Sequence, residues 1–544
     1  MKFIERRVLS LKSKKIISLV LAVSLTFSAM IVPASANTDV TNKGEQVLYT
    51  VLDKAVDFLV NAIGAFVISP RRQNIKDYKD DNFYAGLGKA DFLDEPARGA
   101  VWSVGYANAS IQDGNELDGE HFVGGSLSIT KKVATEVLDD QKVRTVALSD
   151  GRGITIFSEL DGFGITNKSV REIRSRFAKY ADENGLDITS VNVGVLHQHS
   201  CVDTFGMNGD ILTALFTAPF KNLIGQTPAS GMNDEFMENL YTVTVNSMIE
   251  AVKDMKEGSM YYGSTDVSEF IRDKRDPQVF DPMLHRLRFV PNDGSDETWI
   301  VEGGIHCVGL GAGGTVVTGD YPYYMEKYIN SLNANFIYIE GAELALTAKG
   351  DNVEPTDEEL ALHEDEGYGR LAALGRTFGE KLAAIEDETE VEPILNIAHK
   401  VMFVKITNAI FKFAAKFGLL TNEVVRDGFD LKVVSEVGYC EFGKSLAVSI
   451  IPGELAPEIA FGGAMAADDP LNWTGKEWDY PTFESKADGR KLLVFGLMND
   501  QIGYLLTDNN WHSIFTENEE IVSSGSNTGS FVTQQYFELL DSIK

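Results

Sequence analysis

Short apolar runs alternate with amphipathic stretches along the chain from Gly86 onward. The runs RTVALSD, ITIFSEL, VNVGVL, WIVEGGI and FIYIEGA have the length and the β-branched content of buried strands. Stretches between them, such as SVREIRSRFAKYADENG, have helical periodicity. We therefore predict an α/β or mixed α+β fold with a multi-stranded sheet core, surrounding helices and the functional site at strand ends.

The segment before Gly86 has a helical pattern of its own. Apolar side chains recur at helical spacing from Glu45 onward, and we expect this helix to end at Pro70. The apolar positions are Val47, Leu48, Val51, Leu52, Ala55, Val56, Leu59, Ala62, Ile63 and Phe66. Such a face fits either a helix packed on the domain or a helix that lies on a membrane surface.

The first 36 residues have the pattern of a secretory signal peptide. Six basic residues precede or flank the start of the apolar run IISLVLAVSLTFSAMIV, and Ala34-Ser35-Ala36 forms a small-residue cleavage site. The alternative is a retained membrane anchor, although polar residues interrupt a run that is short for a bilayer crossing. We predict a secreted or cell-surface, extracellular protein with a signal peptide over 1–36 and an amphipathic helical arm over 37–83.

A second unusual segment runs from residue 394 to 420, with the sequence ILNIAHKVMFVKITNAIFKFAAKFGLL. Its only charged residues are four lysines, in a chain that is otherwise strongly acidic. Basic and apolar residues together fit an interfacial element or a lid over an apolar pocket. The β-branched residues fit equally well a buried strand followed by a helix.

The net charge limits the classes of partner. The whole chain carries a formal charge of -31, and the 43 basic and 79 acidic residues after position 36 give -36. Such a surface repels phosphate backbones and anionic headgroups, so we expect no nucleic-acid partner and no broad electrostatic docking on membranes. The three cysteines, Cys201, Cys307 and Cys440, are too few for a disulfide framework.

The stretch VNVGVLHQHS contains the first candidate for chemistry. His197 and His199 follow an apolar run in an H-x-H pattern, and residues two apart on a strand point to the same face. Two imidazoles at one site are typical of a zinc centre. An isolated pair of this kind fits packing or hydrogen bonding equally well.

Three later residues offer further ligands at similar places. His306 follows the apolar run WIVEGGI, Glu454 lies at a strand-to-turn junction in SLAVSIIPGELAP, and Tyr504 follows LLVFG in LLVFGLMNDQIGYLLT. Each lies where we expect strand ends to converge.

The order of these motifs resembles the neutral/alkaline, non-lysosomal ceramidase family, specifically its N-terminal catalytic domain. The resemblance extends from about residue 84 to 540 and defines a ceramidase-like domain over 84–544. The similar motifs are GLGKADF at 86–92, Gly105-Tyr106, HQHS, the isolated His306, LAALGRTFGEKLAAI, IPGE, MNDQIGY and SSGSNTGSF. The family's immunoglobulin-like C-terminal domain has no counterpart before the sequence ends at Lys544.

The resemblance implies a zinc hydrolase that cleaves the amide of ceramide into a fatty acid and a sphingoid base. It assigns the Zn²⁺ ligands to His197, His306, Glu454 and Tyr504. His199 is implied to lie beside the metal and contact the reacting oxygen.

The residue types are consistent with this chemistry. Two neutral imidazoles and a carboxylate satisfy a catalytic zinc and leave a position for water, whose pKa the metal lowers to about 7. Tyr504 is an unusual ligand and could instead donate a hydrogen bond to the tetrahedral oxyanion. His199 could move a proton between the attacking water and the leaving amine.

One departure from the family pattern concerns a serine at the active site, proposed as a nucleophile in the family. The corresponding stretch here is EGAELALTAKG, which puts Ala345 at the serine position. Thr347 lies two residues further on and could supply a hydroxyl. Without the serine, only the zinc-water route remains, or the reaction is different or absent.

A second departure is the pair of cysteines beside the histidines. Cys201 lies two residues after His199, and Cys307 is adjacent to His306. The two thiols could form a disulfide, bind the metal as thiolates or pack as small apolar groups.

The sequence leaves three functional hypotheses open. The first is a secreted zinc amidohydrolase that acts on ceramide or a related lipid amide, with the segment 394–420 lining an apolar slot and with transient membrane-surface contact. The second is a related zinc hydrolase that acts on a different amide or an ester. The third is a catalytically silent lipid- or metal-binding homologue, which Ala345 favours. The sequence does not indicate the oligomeric state.

Overall fold

The computed structural model describes residues 40–65, 67–80, 83–125, 131–226, 231–311, 313–516 and 518–544. The signal peptide predicted over 1–36 lies outside these residues. Within them, every helix is too short or too polar to cross a bilayer.

Twenty strands form the sheets of the described chain. They are β1 (Trp102–Ser110), β2 (Glu136–Val137), β3 (Lys142–Ser149), β4 (Ile154–Leu160), β5 (Ile188–Val195), β6 (Lys256–Asp266), β7 (Ile271–Asp273), β8 (Met283–Pro291), β9 (Glu297–Gly303), β10 (Val316–Val317), β11 (Ala334–Glu340), β12 (Leu346–Ala348), β13 (Thr389–Val391), β14 (Leu395–Lys405), β15 (Val424–Asp427), β16 (Asp430–Phe442), β17 (Leu446–Ile450), β18 (Glu454–Leu455), β19 (Lys491–Phe495) and β20 (Tyr504–Leu505).

Eleven α-helices accompany these strands in the same part of the chain. They are α1 (Lys43–Gly64), α2 (Asn167–Asn184), α3 (Ile211–Ile224), α4 (Asp234–Asp254), α5 (Asp320–Asn330), α6 (Asp357–Leu360), α7 (Glu366–Ala383), α8 (Ala409–Phe417), α9 (Pro457–Phe461), α10 (Asn518–Ile521) and α11 (Thr528–Ile543).

The largest sheet has nine strands in the order β11-β9-β8-β6-β1-β3-β4-β5, with β13 paired to β6. All five apolar runs that predicted strands lie in this sheet, as β3, β4, β5, β9 and β11. Most neighbours are antiparallel, but β4 and β5 are parallel, and so are β9 and β11. A helix, α2 or α5, connects the strands of each parallel pair, as such crossovers require.

This sheet curls strongly. β1 and β6 pair over only three residues, Trp102 to Val104, whereas β1 and β3 pair over eight. β11, at one end of the strand order, lies against β3, β4 and β5 near the other end. The curl brings together loops that are far apart in the strand order.

A second sheet has the order β14-β16-β17-β19, with β15 paired to β16. One apolar cluster joins the two large sheets, because Phe157 and Ile337 of the first pack with Phe442 and Phe495 of the second. On its other side the second sheet is covered by α11. The predicted mixed α+β class, with a sheet core and surrounding helices, is therefore confirmed.

Helices α2 and α4 cover the outer face of the nine-stranded sheet. The predicted helix SVREIRSRFAKYADENG corresponds to α2, which Thr166 caps by accepting the Ser169 N–H and which ends at Gly185 in the left-handed conformation. Its buried face includes Ile173 and Phe177. Sequence periodicity thus identified both the helix and its packed face.

The N-terminal helix α1 packs against α8, and both share an apolar cluster with α3. The helix ends at Gly64, so the predicted end at Pro70 is wrong. Beyond this end, the carbonyl of Ile68 accepts a hydrogen bond from Asn222 of α3. The segment 394–420 forms β14 and α8, as the buried strand-and-helix interpretation predicted.

Candidate functional site

The candidate site lies where three pairs of parallel strands end. His197 follows β5, His306 follows β9, and Glu454 follows β17, which pairs in parallel with β19. Ligand-binding residues commonly lie beyond the carboxyl ends of parallel strands. The ends of β5 and β9 come from the nine-stranded sheet and that of β17 from the second sheet. The side-chain ligand atoms of His197, His199 and His306 lie within 4.8 Å of one another.

His197 is held in a specific tautomer. Its Nδ1 lies 2.5 Å from the carbonyl oxygen of Phe163, which can only accept, so Nδ1 carries the proton. In the neutral ring the lone pair is on Nε2, which lies 3.3 Å from Oε1 of Glu454; in the protonated ring Nε2 faces this carboxylate as a donor. The Phe163 ring stacks on the imidazole at 4.6 Å, and the His197 backbone is left-handed, with φ 49°. This arrangement is typical of a metal-binding histidine oriented by its second nitrogen.

His199 and His306 approach each other edge on. Their Nε2 atoms are 3.0 Å apart, and the His199 N–H donates to the carbonyl oxygen of Cys307. The backbone contact therefore fixes the β5 loop against the β9 loop. The Nδ1 of His199 is buried and has no hydrogen-bond partner in the described part of the chain.

Glu454 and Tyr504 are partners in register at the start of β18 and β20. The Glu454 carboxylate is close enough to the Tyr504 phenol to help raise its pKa. Gln501 donates from Nε2 to Oε1 of Glu454 at 3.1 Å. The other oxygen, Oε2, is buried without a hydrogen-bond partner among the described residues.

Glu343 is a site residue that we did not predict. Its carboxylate reaches within 4.8 Å of ligand atoms of both His306 and Glu454. The side chain is fully buried, and among described residues neither of its oxygens has a hydrogen-bond partner. The signal was present in the run FIYIEGAELAL, where acidic residues interrupt an otherwise apolar stretch at a strand end.

The protonation states at the site differ sharply between neighbouring groups. Burial lowers the pKa of His197, but the Glu454 and Glu343 carboxylates outweigh it and raise the pKa to about 9. Burial, reinforced by the charge of His197, lowers the pKa of both His199 and His306 well below the usual value. Burial and the neighbouring Glu340 carboxylate raise the pKa of Glu343 well above its usual value. Such divergent pKa values within one cluster are typical of functional sites.

The cluster fits a divalent metal ion. It offers imidazole nitrogens and carboxylate oxygens, the donor types that zinc binds. The orphaned oxygens of Glu343 and Glu454 are aimed at the same point as His306, and a cation there would satisfy buried polar atoms that are otherwise costly. The structure thus brings together the predicted residues His197, His199, His306, Glu454 and Tyr504, while their individual roles stay predictions.

The EGAELAL segment carries no hydroxyl at the position of the family's serine. Ala345 is buried, with a left-handed backbone at φ 64°. The Thr347 hydroxyl lies on β12 and donates to the carbonyl of Arg272 at 3.4 Å. Thr347 is therefore held by the β7–β12 pairing, which does not favour the idea that it replaces the serine.

The cysteines near the site are free thiols. Cys201 donates toward Gln198 and the Thr318 carbonyl, and Cys307 donates to Oε1 of Glu340 at 2.9 Å. A disulfide between them is therefore wrong. Both are wholly buried, and burial raises the pKa of each thiol well above its usual value, so a thiolate ligand is disfavoured. They pack as small apolar groups.

Comparison with known proteins supports the fold. No family model matches the chain, and no curated protein matches its sequence. Among solved structures, the neutral ceramidase from Pseudomonas aeruginosa is similar with a TM-score of 0.56 at 14% identity, over 82% of this chain and 74% of that one. A structure described as ceramidase complexed with C2 gives a TM-score of 0.53 at 14% identity, over 82% and 75%. The chain therefore has the neutral ceramidase fold, and the resemblance seen in its motifs is confirmed at the level of the fold.

Proposed function

We propose that the protein is a secreted, zinc-dependent amidohydrolase that cleaves the N-acyl amide of ceramide or a related lipid amide into a fatty acid and an amine. One observation carries the proposal: imidazole and carboxylate ligand atoms from four separate loops converge at a buried point in a chain with the neutral ceramidase fold. The N-terminal signal pattern supports secretion.

His197, His306 and Glu454 would hold the metal, with Tyr504 or Glu343 completing the set. Their donor types and the fixed tautomer of His197 suit this role. A zinc ion in such a set supplies a Lewis acid that polarises an amide carbonyl and acidifies water.

His199 would act as the proton carrier. Its lowered pKa keeps the imidazole neutral at physiological pH, so it can accept a proton from water. The same ring could then deliver that proton to the amide nitrogen, which leaves poorly until it is protonated.

Tyr504 would stabilise the oxyanion. Burial and then the neighbouring Glu454 carboxylate raise the pKa of its phenol well above the usual value, which favours the protonated form. A protonated phenol in a buried site can donate a hydrogen bond to the oxygen on which charge develops.

The acyl chain has an apolar space near the site. Phe205 packs edge-on against Phe163, which stacks on His197. Beyond Phe205, a cavity of about 80 Å³ opens between α3 and α8, lined by apolar side chains that include Ile410, Phe411 and Leu419. Its apolar lining fits a short part of an acyl chain, because about 80 Å³ holds only a few methylene groups.

A catalytically silent lipid- or metal-binding protein is the second candidate, because position 345 lacks a hydroxyl. The presence of His199 beside His306 favours catalysis, since binding alone does not need this imidazole.

The test compares zinc content and fatty-acid release from a short-chain labelled ceramide. We expect about one zinc per chain and turnover in the natural protein, and loss of both in His306→Ala. The control His363→Ala removes a histidine outside the cluster, and both properties should persist. Zinc without turnover, with turnover gained in Ala345→Ser, would instead establish the silent homologue.

A further inference from the structure

Two helices present an apolar face to solvent. Eleven of the fifteen large hydrophobic residues that are exposed in the described chain lie within residues 47–68 and 216–224. On α1 they follow the outer face of the helix, and on α3 they recur at helical spacing. They are Val47, Leu48, Val51, Leu52, Phe58, Leu59, Ile68, Phe216, Phe220, Leu223 and Ile224. We call these eleven residues the apolar platform.

Packing within the protein does not require these side chains. Helix α1 is anchored by a different set, with Val56 and Val60 buried against α8. Phe58 and Phe220 remain 71% and 72% exposed. A concentration of exposed apolar side chains on neighbouring helices is typical of an interaction site.

The two faces belong to one structural unit. Helices α1 and α3 both pack on α8, and Asn222 of α3 donates to the carbonyls of Ile68 and Phe417. The apolar platform is therefore held in place by side-chain and backbone contacts to the domain.

The local charge differs from that of the chain. Helices α3 and α8 together carry three lysines and no acidic residue, while the whole chain has a net charge of -31. Two acidic residues of α1 are engaged with the protein: Asp57 pairs with Lys412, and Asp53 accepts a hydrogen bond from Ser513. An apolar face with basic flanks is the pattern that binds the interface of a bilayer.

We propose that the apolar platform docks on the surface of a lipid bilayer. The inference rests on the proposed function in one respect: α3 contributes residues both to the platform and to the cavity between α3 and α8, so docking would bring a lipid amide close to that cavity. Apolar insertion supplies most of the binding, and the lysines favour anionic lipids over zwitterionic ones.

The test uses the chain from Asn37 to Lys544 in sedimentation with phosphatidylcholine vesicles, with and without phosphatidylglycerol. The double variant Phe58→Asp/Phe220→Asp should bind vesicles at least about tenfold more weakly, because two aromatic rings no longer insert. The matched control Leu332→Asp/Phe429→Asp changes two exposed apolar residues outside the platform and should bind like the natural chain.

Activity separates this inference from the proposed function. Hydrolysis of a soluble short-chain amide should be equal in both double variants, whereas hydrolysis of a long-chain amide in vesicles should fall only in Phe58→Asp/Phe220→Asp. Vesicle binding without any hydrolysis would remove the proposed function and leave the docking surface standing. Hydrolysis of the soluble amide without vesicle binding would overturn the docking surface and leave the proposed function standing.

Two further results would overturn the docking surface. One is equal loss of binding in the control variant. The other is a dimer in light scattering that becomes a monomer in Phe58→Asp/Phe220→Asp, which would assign the platform to a second copy of the chain. If the double variant does not fold, Phe220→Trp serves instead. With vesicles its emission should shift further to the blue than that of the natural chain, which has five tryptophans of its own, and an equal response of the two proteins would contradict docking.

Discussion

The Nε2 atoms of His199 and His306 lie 3.0 Å apart, although 107 residues separate them in sequence. Both rings are buried, and the pKa of each is held well below the usual range by burial and by His197. When both imidazoles are neutral, a cation or a single proton between their facing nitrogens is favourable. The predictions at the site depend on which of the two rings binds the metal.

His199→Gln should keep the metal and lose catalysis. If His199 carries the proton, its replacement lowers kcat by about 10²- to 10⁴-fold, with little change in zinc content. Metal analysis and steady-state kinetics on the same sample check this. His306→Gln is the comparison, because it should lose zinc and activity together. Zinc loss in His199→Gln would make His199 a ligand.

Glu343→Gln should change metal affinity and apoprotein stability in opposite directions. Removal of a carboxylate next to His306 and Glu454 should weaken zinc binding by about tenfold or more. The pKa of Glu343 is raised in the folded state, so the folded protein loses stability as the pH rises above the unfolded pKa of about 4.5. Glutamine does not titrate, and the metal-free variant should therefore melt at a higher temperature at neutral pH.

Competition with a zinc chelator and thermal melts in excess chelator measure these two effects. The exposed Glu364→Gln is the control and should change neither. A lower melting temperature of metal-free Glu343→Gln would contradict the view that this carboxyl is an unsatisfied buried acid.

Arg174→Met should destabilise the fold strongly. The guanidinium of Arg174 on α2 forms a bidentate, fully buried pair with Glu436 of β16, at 2.9 and 2.7 Å. Methionine leaves the carboxylate buried without this partner, which costs about 3 to 5 kcal/mol of unfolding free energy. Arg176, two residues away, pairs with the exposed Glu238, so Arg176→Met should cost less than about 1 kcal/mol. Denaturant unfolding of the two variants provides a direct comparison within one helix.

The stability of the protein should fall with acidification through His399. Burial lowers the pKa of His399 to about 4, and the nearby Glu436 only partly opposes this. Below the unfolded pKa of about 6.5 the unfolded chain binds a proton that the folded chain excludes, so stability decreases from there down to about pH 4. The shift corresponds to about 3 kcal/mol.

His399→Gln isolates this contribution. Relative to the natural protein, the variant should gain about 2 to 3 kcal/mol of unfolding free energy between about pH 7.5 and about pH 4.5. Both proteins contain the same carboxylates, so the contribution of these groups to the pH dependence of stability cancels in the difference. A constant difference between the two proteins across this range would show that His399 does not titrate differently on folding.

The local sequence pattern was sufficient to predict the strands and three of the loops that form the site. Runs such as ITIFSEL and WIVEGGI have a periodicity that local sterics and burial impose, and each became a strand of the main sheet. His197 and His306 could be predicted because the same pattern locates the strand ends, where functional residues commonly lie.

Long-range features could not be predicted in the same way. The approach of β11 to β5 joins strands that are distant in the sheet order, and no local pattern encodes it. Glu343 was missed for this reason: its run looks like a strand end with a solvated acid, and only the curled sheet buries that carboxylate beside His306.

The left-handed backbone of His197 has a consequence for how this loop can change. A side chain with a Cβ in that conformation costs about 1 to 2 kcal/mol, which glycine would avoid. Glycine, however, would remove the imidazole whose Nε2 faces Glu454. Position 197 is therefore one where greater stability and chemistry require different residues, and the strain is located at the residue whose side chain enters the site. A selection for greater stability alone should therefore replace His197 early, and the protein would lose its function with that imidazole.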